Sequence, residues 1–238
     1  MNAIYCSLSV LFISFILLLS LVLSPIIGAS SLNIFPPGSK PYGLTYPDHI
    51  KNFWKWATAI PGKENPIDDP TGEKCATGQS NSNSSVFYLT FNNGGKSERV
   101  CKVPAGIGLF IPVSQVLISN IDLPNATPSQ IKESTNADQE GVNSLYLKID
   151  DKEYNFDELK SNYRNPVDIF DVTIADNGIF GAVKGGPTKA IADGYYVITE
   201  PLPKGNYTVH YKSSLICSVS ACLETNFAQD IKYTIIAE

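Results

Sequence analysis

Histidine and methionine are nearly absent from this chain of 238 residues: there are two histidines, His49 and His210, and the sole methionine is the initiator. A blue-copper centre needs two His, a thiolate Cys and usually a Met, so with the one methionine at the start and the cysteines expected in pairs that class is not expected. A Ser-His-Asp triad would have to use one of the two histidines, and no Gly-x-Ser-x-Gly elbow accompanies them. Basic runs are also missing. Eighteen Lys and Arg are scattered against 23 Asp and Glu, for a net charge of −5. Nucleic acid is not expected as a partner. After the first apolar segment no second hydrophobic span follows, and no internal repeat is present.

Charge itself is missing from the start. No charged side chain precedes Lys40, and Leu8 to Leu23 is apolar apart from serines. Pro25 and the small residues Gly28-Ala29-Ser30-Ser31 follow. This order predicts a signal peptide over residues 1–29, cleaved after Ala29. Residues 3–29 are also long enough to act as an uncleaved membrane anchor. Membrane contact is expected only through this segment. Residues 30–46, rich in Pro and Gly, read as a linker or extended arm, and 47–238 as one domain.

Cys6 falls in the leader, which leaves Cys75, Cys101, Cys217 and Cys222. An even count in an exported chain favours disulfides over metal. Three pairings are possible; Cys75–Cys101 with Cys217–Cys222 is the expected one. Zinc wants cysteines two to four residues apart, a spacing that Cys75 and Cys101 lack. No metal or cofactor is expected. Asn83, Asn125 and Asn206 each open an N-glycosylation acceptor pattern.

Ile50, Phe53, Trp54, Ala57 and Ile60 share one face of a helix that starts near Pro47 and stops at Pro61-Gly62. His49 falls on its polar side. Beyond residue 85 the period changes to that of strands. Val86 to Phe91 is apolar on both faces, and Asn92-Asn93-Gly94-Gly95 reads as a hairpin turn into Arg99–Val103. Gly94-Gly95-Lys96-Ser97 imitates a phosphate loop, but Thr90 stands where its leading glycine belongs. Further strands are expected around 107–118, 145–149, 169–174, 194–200, 207–211 and 227–235. Residues 119–141 read as a long polar loop with room for a short helix. Asn155 and Glu158 mark a second short helix. The whole predicts a mainly β fold, a single antiparallel β-sandwich of immunoglobulin or jelly-roll type with an N-terminal amphipathic helix.

Several segments together resemble a family of uncharacterised secreted prokaryotic proteins. They are Trp54-Lys-Trp56-Ala57, Asn65-Pro66 with Asp69-Pro-Thr71-Gly72, Cys75-Ala-Thr-Gly78-Gln79, Cys101-Lys-Val-Pro-Ala-Gly106 with Leu109-Phe110-Ile-Pro112, Ala192-Asp193-Gly194-Tyr-Tyr196, and Pro201-Leu202-Pro-Lys-Gly205. The likeness covers most of residues 42–236. It implies export, one domain and the Cys75–Cys101 pair, and it supplies no catalytic residues. Leu202 to Val209 also looks like the edge turn of immunoglobulin-like sandwiches, a likeness of fold only.

Glu64, Asp68, Asp69 and Glu73 could offer oxygens to calcium, but their spacing is not that of an EF-hand, and Asp69-Pro-Thr-Gly72 reads as a turn. Trp56 falls off the apolar stripe and could stack on a sugar. Trp56 and Asp69 are therefore the candidate ligand contacts. The expected function is a secreted or cell-envelope binding or structural module, non-enzymatic, with a glycan or another envelope protein as partner. The alternative is a secreted hydrolase that acts on glycans through carboxylates.

Overall fold

The computed structural model describes residues 32–79, 85–179, 184–216 and 226–238. The expected signal peptide, Asn83, Cys217 and Cys222 lie outside the described residues. Residues Ser31–Glu238 cluster as one compact unit.

The first helix, α1, spans Tyr46–Ala59. Thr45 caps it: its hydroxyl accepts from the Asp48 amide while the Asp48 carboxylate accepts from the Thr45 amide, and Pro47 sits in the first turn. Such a reciprocal box satisfies two otherwise orphaned donors. Ile50, Phe53, Trp54 and Ala57 form the buried stripe, as their spacing predicts. His49 departs from expectation. It is buried, and its Nε2 donates to the Pro41 carbonyl at 2.9 Å. The reason is the preceding arm, which folds back over the helix. Within it the Phe35 amide bonds to the Ile198 carbonyl, and Ile34 bridges Thr199.

Nine strands occur among the described residues: β1 (Val86–Tyr88), β2 (Gly95–Val103), β3 (Gly108–Ser119), β4 (Val142–Ile149), β5 (Lys152–Tyr154), β6 (Val167–Ile174), β7 (Gly186–Ile198), β8 (Gly205–Ile216) and β9 (Asn226–Ala237). They form a four-stranded sheet, β1-β3-β7-β6, and a five-stranded sheet, β2-β9-β8-β4-β5. The fold is mainly β, but it is not purely antiparallel: β1 pairs with β3, and β2 with β9, in parallel. Both sheets are mixed.

The origin of this departure is residues 92–95. They do not close a hairpin; they carry the chain from one sheet to the other. Gly94 and Gly95 do take positive φ, 103° and 78°, as a two-residue hairpin would ask. Asn92 redirects the turn. Its Oδ1 accepts from the Gly94 amide, and its Nδ2 donates to Ser97 Oγ at 2.8 Å. The local chemistry of a tight turn is present, yet the two strands part.

One hydrophobic cluster joins α1 and both sheets. It contains Phe53, Trp54, Phe110 and Tyr196 as well as Leu147, Val209, Tyr211, Ile231 and Tyr233. Phe53 stacks on Phe110 with centroids 5.0 Å apart, and Trp54 Nε1 donates to Tyr196 Oη at 3.2 Å. Strand β7 is buried without alternation from Ala190 to Ile198, as a strand covered on both faces should be.

Two further helices are present. Asn155 caps α3 (Phe156–Asn162) by accepting from the Glu158 amide, as expected. The other, α2 (Pro128–Glu140), replaces much of the expected polar loop. Its buried stripe is Ile131, Thr135, Asp138 and Gln139. A single aliphatic residue leaves no hydrophobic period to detect. The legible signal was the Thr127–Gln130 capping box with Pro128 behind the cap. No helix among the described residues is long and apolar enough to cross a membrane.

Cys75 and Cys101 form a disulfide, with Cα atoms 5.8 Å apart and a sequence separation of 26. It ties the 62–79 segment to β2. In the chain-entropy model such a loop contributes about 3 kcal/mol. The Cys75→Ser/Cys101→Ser double variant should lose about that much unfolding free energy, read as a lower urea midpoint. An unchanged midpoint would mean that the hydrogen bonds of the segment already hold it.

Candidate functional site

The two candidate contacts of the 53–80 stretch are engaged by the fold itself. Trp56 is half-buried; its Nε1 donates to the Thr77 carbonyl at 3.1 Å and its ring lies 5.2 Å from that of Tyr88. Asp69 is buried, and its carboxylate accepts from the amides of Thr71 and Lys74 and from the Thr71 hydroxyl. Burial opposes ionisation of this group, but those hydrogen bonds prevail and hold its pKa below the ordinary value. Of the acceptor asparagines, Asn125 and Asn206 are exposed.

Many other carboxylates among the described residues do similar structural work. Asp122 accepts from the Ser119 amide and hydroxyl, Asp150 from the Thr208 amide, and Asp176 from the Gly185 amide. Asp168 pairs with Lys132 and Asp171 with Lys189. Arg164 lies between Glu140 on α2 and the buried Asp193 on β7. No group of three or more His, Cys, Asp or Glu among the described residues is arranged to hold a metal ion.

Asp138 is the exception. It is 1% exposed, and neither of its oxygens has a hydrogen-bond partner. It lies near the end of α2, the helix that packs on β3 and β7; other buried atoms without a partner are both amide atoms of its neighbour Gln139, and Ser114 Oγ and Tyr195 Oη at paired positions of β3 and β7. Burial pushes the Asp138 carboxyl from 3.8 up to about 6. The negative end of the helix dipole acts in the same direction. Because the folded pKa lies above the unfolded one, stability is highest with the group protonated and falls as pH rises from about 4 through about 6. Asp138→Asn should therefore match the wild type near pH 4 and be the more stable by about 1–3 kcal/mol at pH 7, as for relief of a buried unsatisfied charge. Thermal melts across that range check it; a constant difference between the two proteins would contradict it.

The surface with unclaimed polar groups is the outer face of the five-stranded sheet. Strands β2, β4 and β9 alternate between buried and open positions, and helix contacts to the sheet come from α3 at β4 and α2 at β8. Register places these open residues in two rows. The first runs Lys96, Asp230, Lys212, Tyr146 across β2, β9, β8 and β4. The second runs Glu98, Lys232, His210, Lys148, Glu153 from β2 to β5. His210 Nε2 lies 2.7 Å from Asp230 Oδ1, and Lys212 Nζ 3.3 Å from Oδ2. Partial burial opposes ionisation of Asp230, but these two partners hold its pKa below the ordinary value. The Tyr146 ring meets the edge of His210 at 5.6 Å, and Lys212 Nζ sits 5.8 Å from its centroid. Among the described residues Lys96, Lys148 and Lys232 make no ion pair.

The sequence held part of this. Alternation with Val209 and Tyr211 turns His210 away from the core, and alternation along 227–235 puts Asp230 and Lys232 on the open side of the last strand. That β4, β8 and β9 are neighbours could not be read from it.

No family model matches the chain, and no curated protein matches it. Among solved structures, a chain of "Structure of PbICP-C in complex with falcipain-2" aligns over 65% of this chain and 100% of its own, at 11% identity and a TM-score of 0.24. At that level the match bears on neither fold nor function.

Proposed function

We propose that the protein is an exported, non-enzymatic binding module that engages its partner through the outer face of the five-stranded sheet. The observation that carries this is an open sheet face with three unpaired lysines beside a half-buried tyrosine and histidine, in a fold whose acids are otherwise largely tied into caps, turns and ion pairs. The Cys75–Cys101 disulfide is in keeping with an oxidising compartment. So is the likeness to secreted prokaryotic proteins. The partner is a glycan or another component of the envelope.

A hydrolase acting through carboxylates would need an acid and a base facing one substrate across a few ångströms. Asp138 has the raised pKa of an acid but is almost wholly enclosed. A screen of soluble polysaccharides, read for retention of the protein and for release of reducing ends, tests the proposal. Retention without product is expected; turnover would replace the binding module by the hydrolase.

A further inference from the structure

Strand register and the run of α2 bring Asp138, Ser114 and Tyr195 to one place. Ile131 of α2 packs on Ile118 of β3 and Ile191 of β7, which are partners in the sheet. The pairs Val116–Asp193 and Ser114–Tyr195 follow on the same face, since side chains two apart in a strand share a side. The helix runs in that direction. Arg164, bridged to Tyr195, bonds to Asn136 and Glu140 of α2 and to Asp193 of β7. Asp138 shares the buried stripe of Ile131 and Thr135, seven residues beyond Ile131. That is about 10 Å along the helix, against about 13 Å from Ile118 to Ser114 along the strand. Asp138 therefore comes over the Ser114–Tyr195 pair.

All three residues are at most 1% exposed, and none of their side-chain oxygens has a hydrogen-bond partner. Either hydroxyl would donate to a carboxylate within its reach, so the polar tips stop short of one another. Gln139, the next residue of α2, is fully buried with both amide atoms unpartnered. Folded proteins leave few buried polar groups unsatisfied, and four such side chains at one end of a helix point to a bound species between them.

Charge selects that species. Asp138, Glu140 and Asp193 are the acids at this end of α2. Arg164 is shared between Glu140 and Asp193. Lys160 is the other base near Glu140; its Nζ donates to the Val142 carbonyl and lies over the Phe156 ring. Lys132, on the same helix, is paired with Asp168. Three acids against Arg164 and Lys160 leave one negative charge, and Asp138 is the acid without a counterion. A buried carboxylate is costly unless it is paired or bound to a metal. The carbonyl end of the helix adds negative potential. Apart from Gln139 Nε2, the unpartnered atoms of these four residues are oxygens, which suit hard cations. Tight calcium sites gather several carboxylates, whereas one carboxylate among neutral oxygens balances a single positive charge.

We infer that Asp138, Ser114, Tyr195 and Gln139 hold a monovalent metal cation, sodium or potassium, between the last turn of α2 and strands β3 and β7. The Asp138 carboxylate is its counterion, and Ser114 Oγ, Tyr195 Oη and Gln139 Oε1 are its neutral ligands. The ion fastens the end of α2 to the sheet. This site is separate from the open sheet face and does not depend on what binds there.

The test is thermal unfolding of the mature protein, freed of metal ions, near pH 7 in sodium, potassium or choline chloride at equal ionic strength. Choline is too bulky for an enclosed site. Sodium or potassium should raise the melting temperature over choline by about 3–6 °C, the shift for an ion present at roughly ten times its Kd. Asp138→Asn removes the charge and keeps the shape, and it should melt alike in all three salts. Ser114→Ala should lose part of the shift. Asp168→Asn, which neutralises an exposed carboxylate on β6, should keep all of it. In choline, Asp138→Asn retains the advantage expected of it at pH 7, and the alkali ion narrows that gap. Equal melting of the wild type in the three salts would overturn the site and leave its polar groups to buried water. A shift that Asp138→Asn keeps in full would overturn the location. Stabilisation by calcium chloride, with none by sodium or potassium, would overturn the monovalent ion.

Discussion

Trp54→Ala should lower the unfolding free energy by about 3–5 kcal/mol, the range for deleting a large aromatic from a packed core. The side chain is fully buried in the cluster that joins α1 to both sheets. Its ring packs against Phe53 at 5.2 Å and Phe91 at 5.6 Å, and its indole N–H bonds to Tyr196 Oη. Truncation removes the ring contacts and leaves Tyr196, itself fully enclosed, without that donor. Domains of this kind are stable by only about 5–15 kcal/mol, so the change removes a large fraction of the total. Trp56→Ala should cost less, about 2 kcal/mol, because its ring is half-exposed and one hydrogen bond to Thr77 is lost. Urea unfolding of both variants measures the ordering. Equal losses would mean that Thr77, Gly78 and Tyr88 pack on Trp56 as tightly as the core packs on Trp54.

The second large effect is expected at Arg99, which is 2% exposed on the inner face of β2. Among the described residues no carboxylate pairs with it. Its guanidinium is instead satisfied by carbonyls and hydroxyls. Nε donates to the Asp69 carbonyl at 2.7 Å, and Nη2 to the Ile67 carbonyl at 3.0 Å. Nη1 donates to the Thr90 carbonyl at 2.7 Å and to Tyr233 Oη at 2.6 Å. The planar group lies over the Tyr233 ring, 5.4 Å from its centroid. One side chain thus holds the 67–69 turn, the crossover between the sheets and the last strand in register with one another. Arg99→Lys keeps the charge but cannot reproduce the fork. It should strand two or more carbonyls and cost about 2–4 kcal/mol, and Arg99→Ala should cost at least as much. Proteolysis of the 62–74 segment should accelerate in both. A lysine variant within about 0.5 kcal/mol of wild type, the usual scatter for a neutral surface change, would show that the buried fork contributes little.

The sequence made the local elements legible where one periodic signal was strong. The α1 stripe, its Pro47 start and Pro61-Gly62 stop, the Asn155 cap and the alternation from Phe227 to Ile235 each correspond to an observed element. Pairing between distant segments was not legible. Asn92-Asn93-Gly94-Gly95 has the composition of a hairpin and the positive φ values of one, but the partners of β1 and β2 lie at residues 108–110 and 229–237. Nothing local to residues 86–103 encodes those partners. Helix α2 was hidden for a different reason: its buried stripe is mostly polar, so the hydrophobic pattern that reveals amphipathic helices is absent. The candidate surface depended on the first of these. Tyr146, Lys148, His210 and Lys232 are unremarkable singly, and only the order β9-β8-β4 makes them one patch. Arg99 was equally invisible, since an arginine alternating with apolar residues in a strand reads as a surface position until its neighbours are known.

The central claim is that the open face of the five-stranded sheet is the working surface and that the 53–80 stretch is structural. Amide chemical-shift mapping of labelled protein, titrated with a polysaccharide that retains it, tests this most directly. The perturbed amides should cluster at Tyr146, Lys148, His210, Lys212 and Lys232 on β4, β8 and β9, with Trp56 and Asp69 unmoved. Shifts centred on residues 53–80, or on the last turn of α2 around Asp138, would contradict the account.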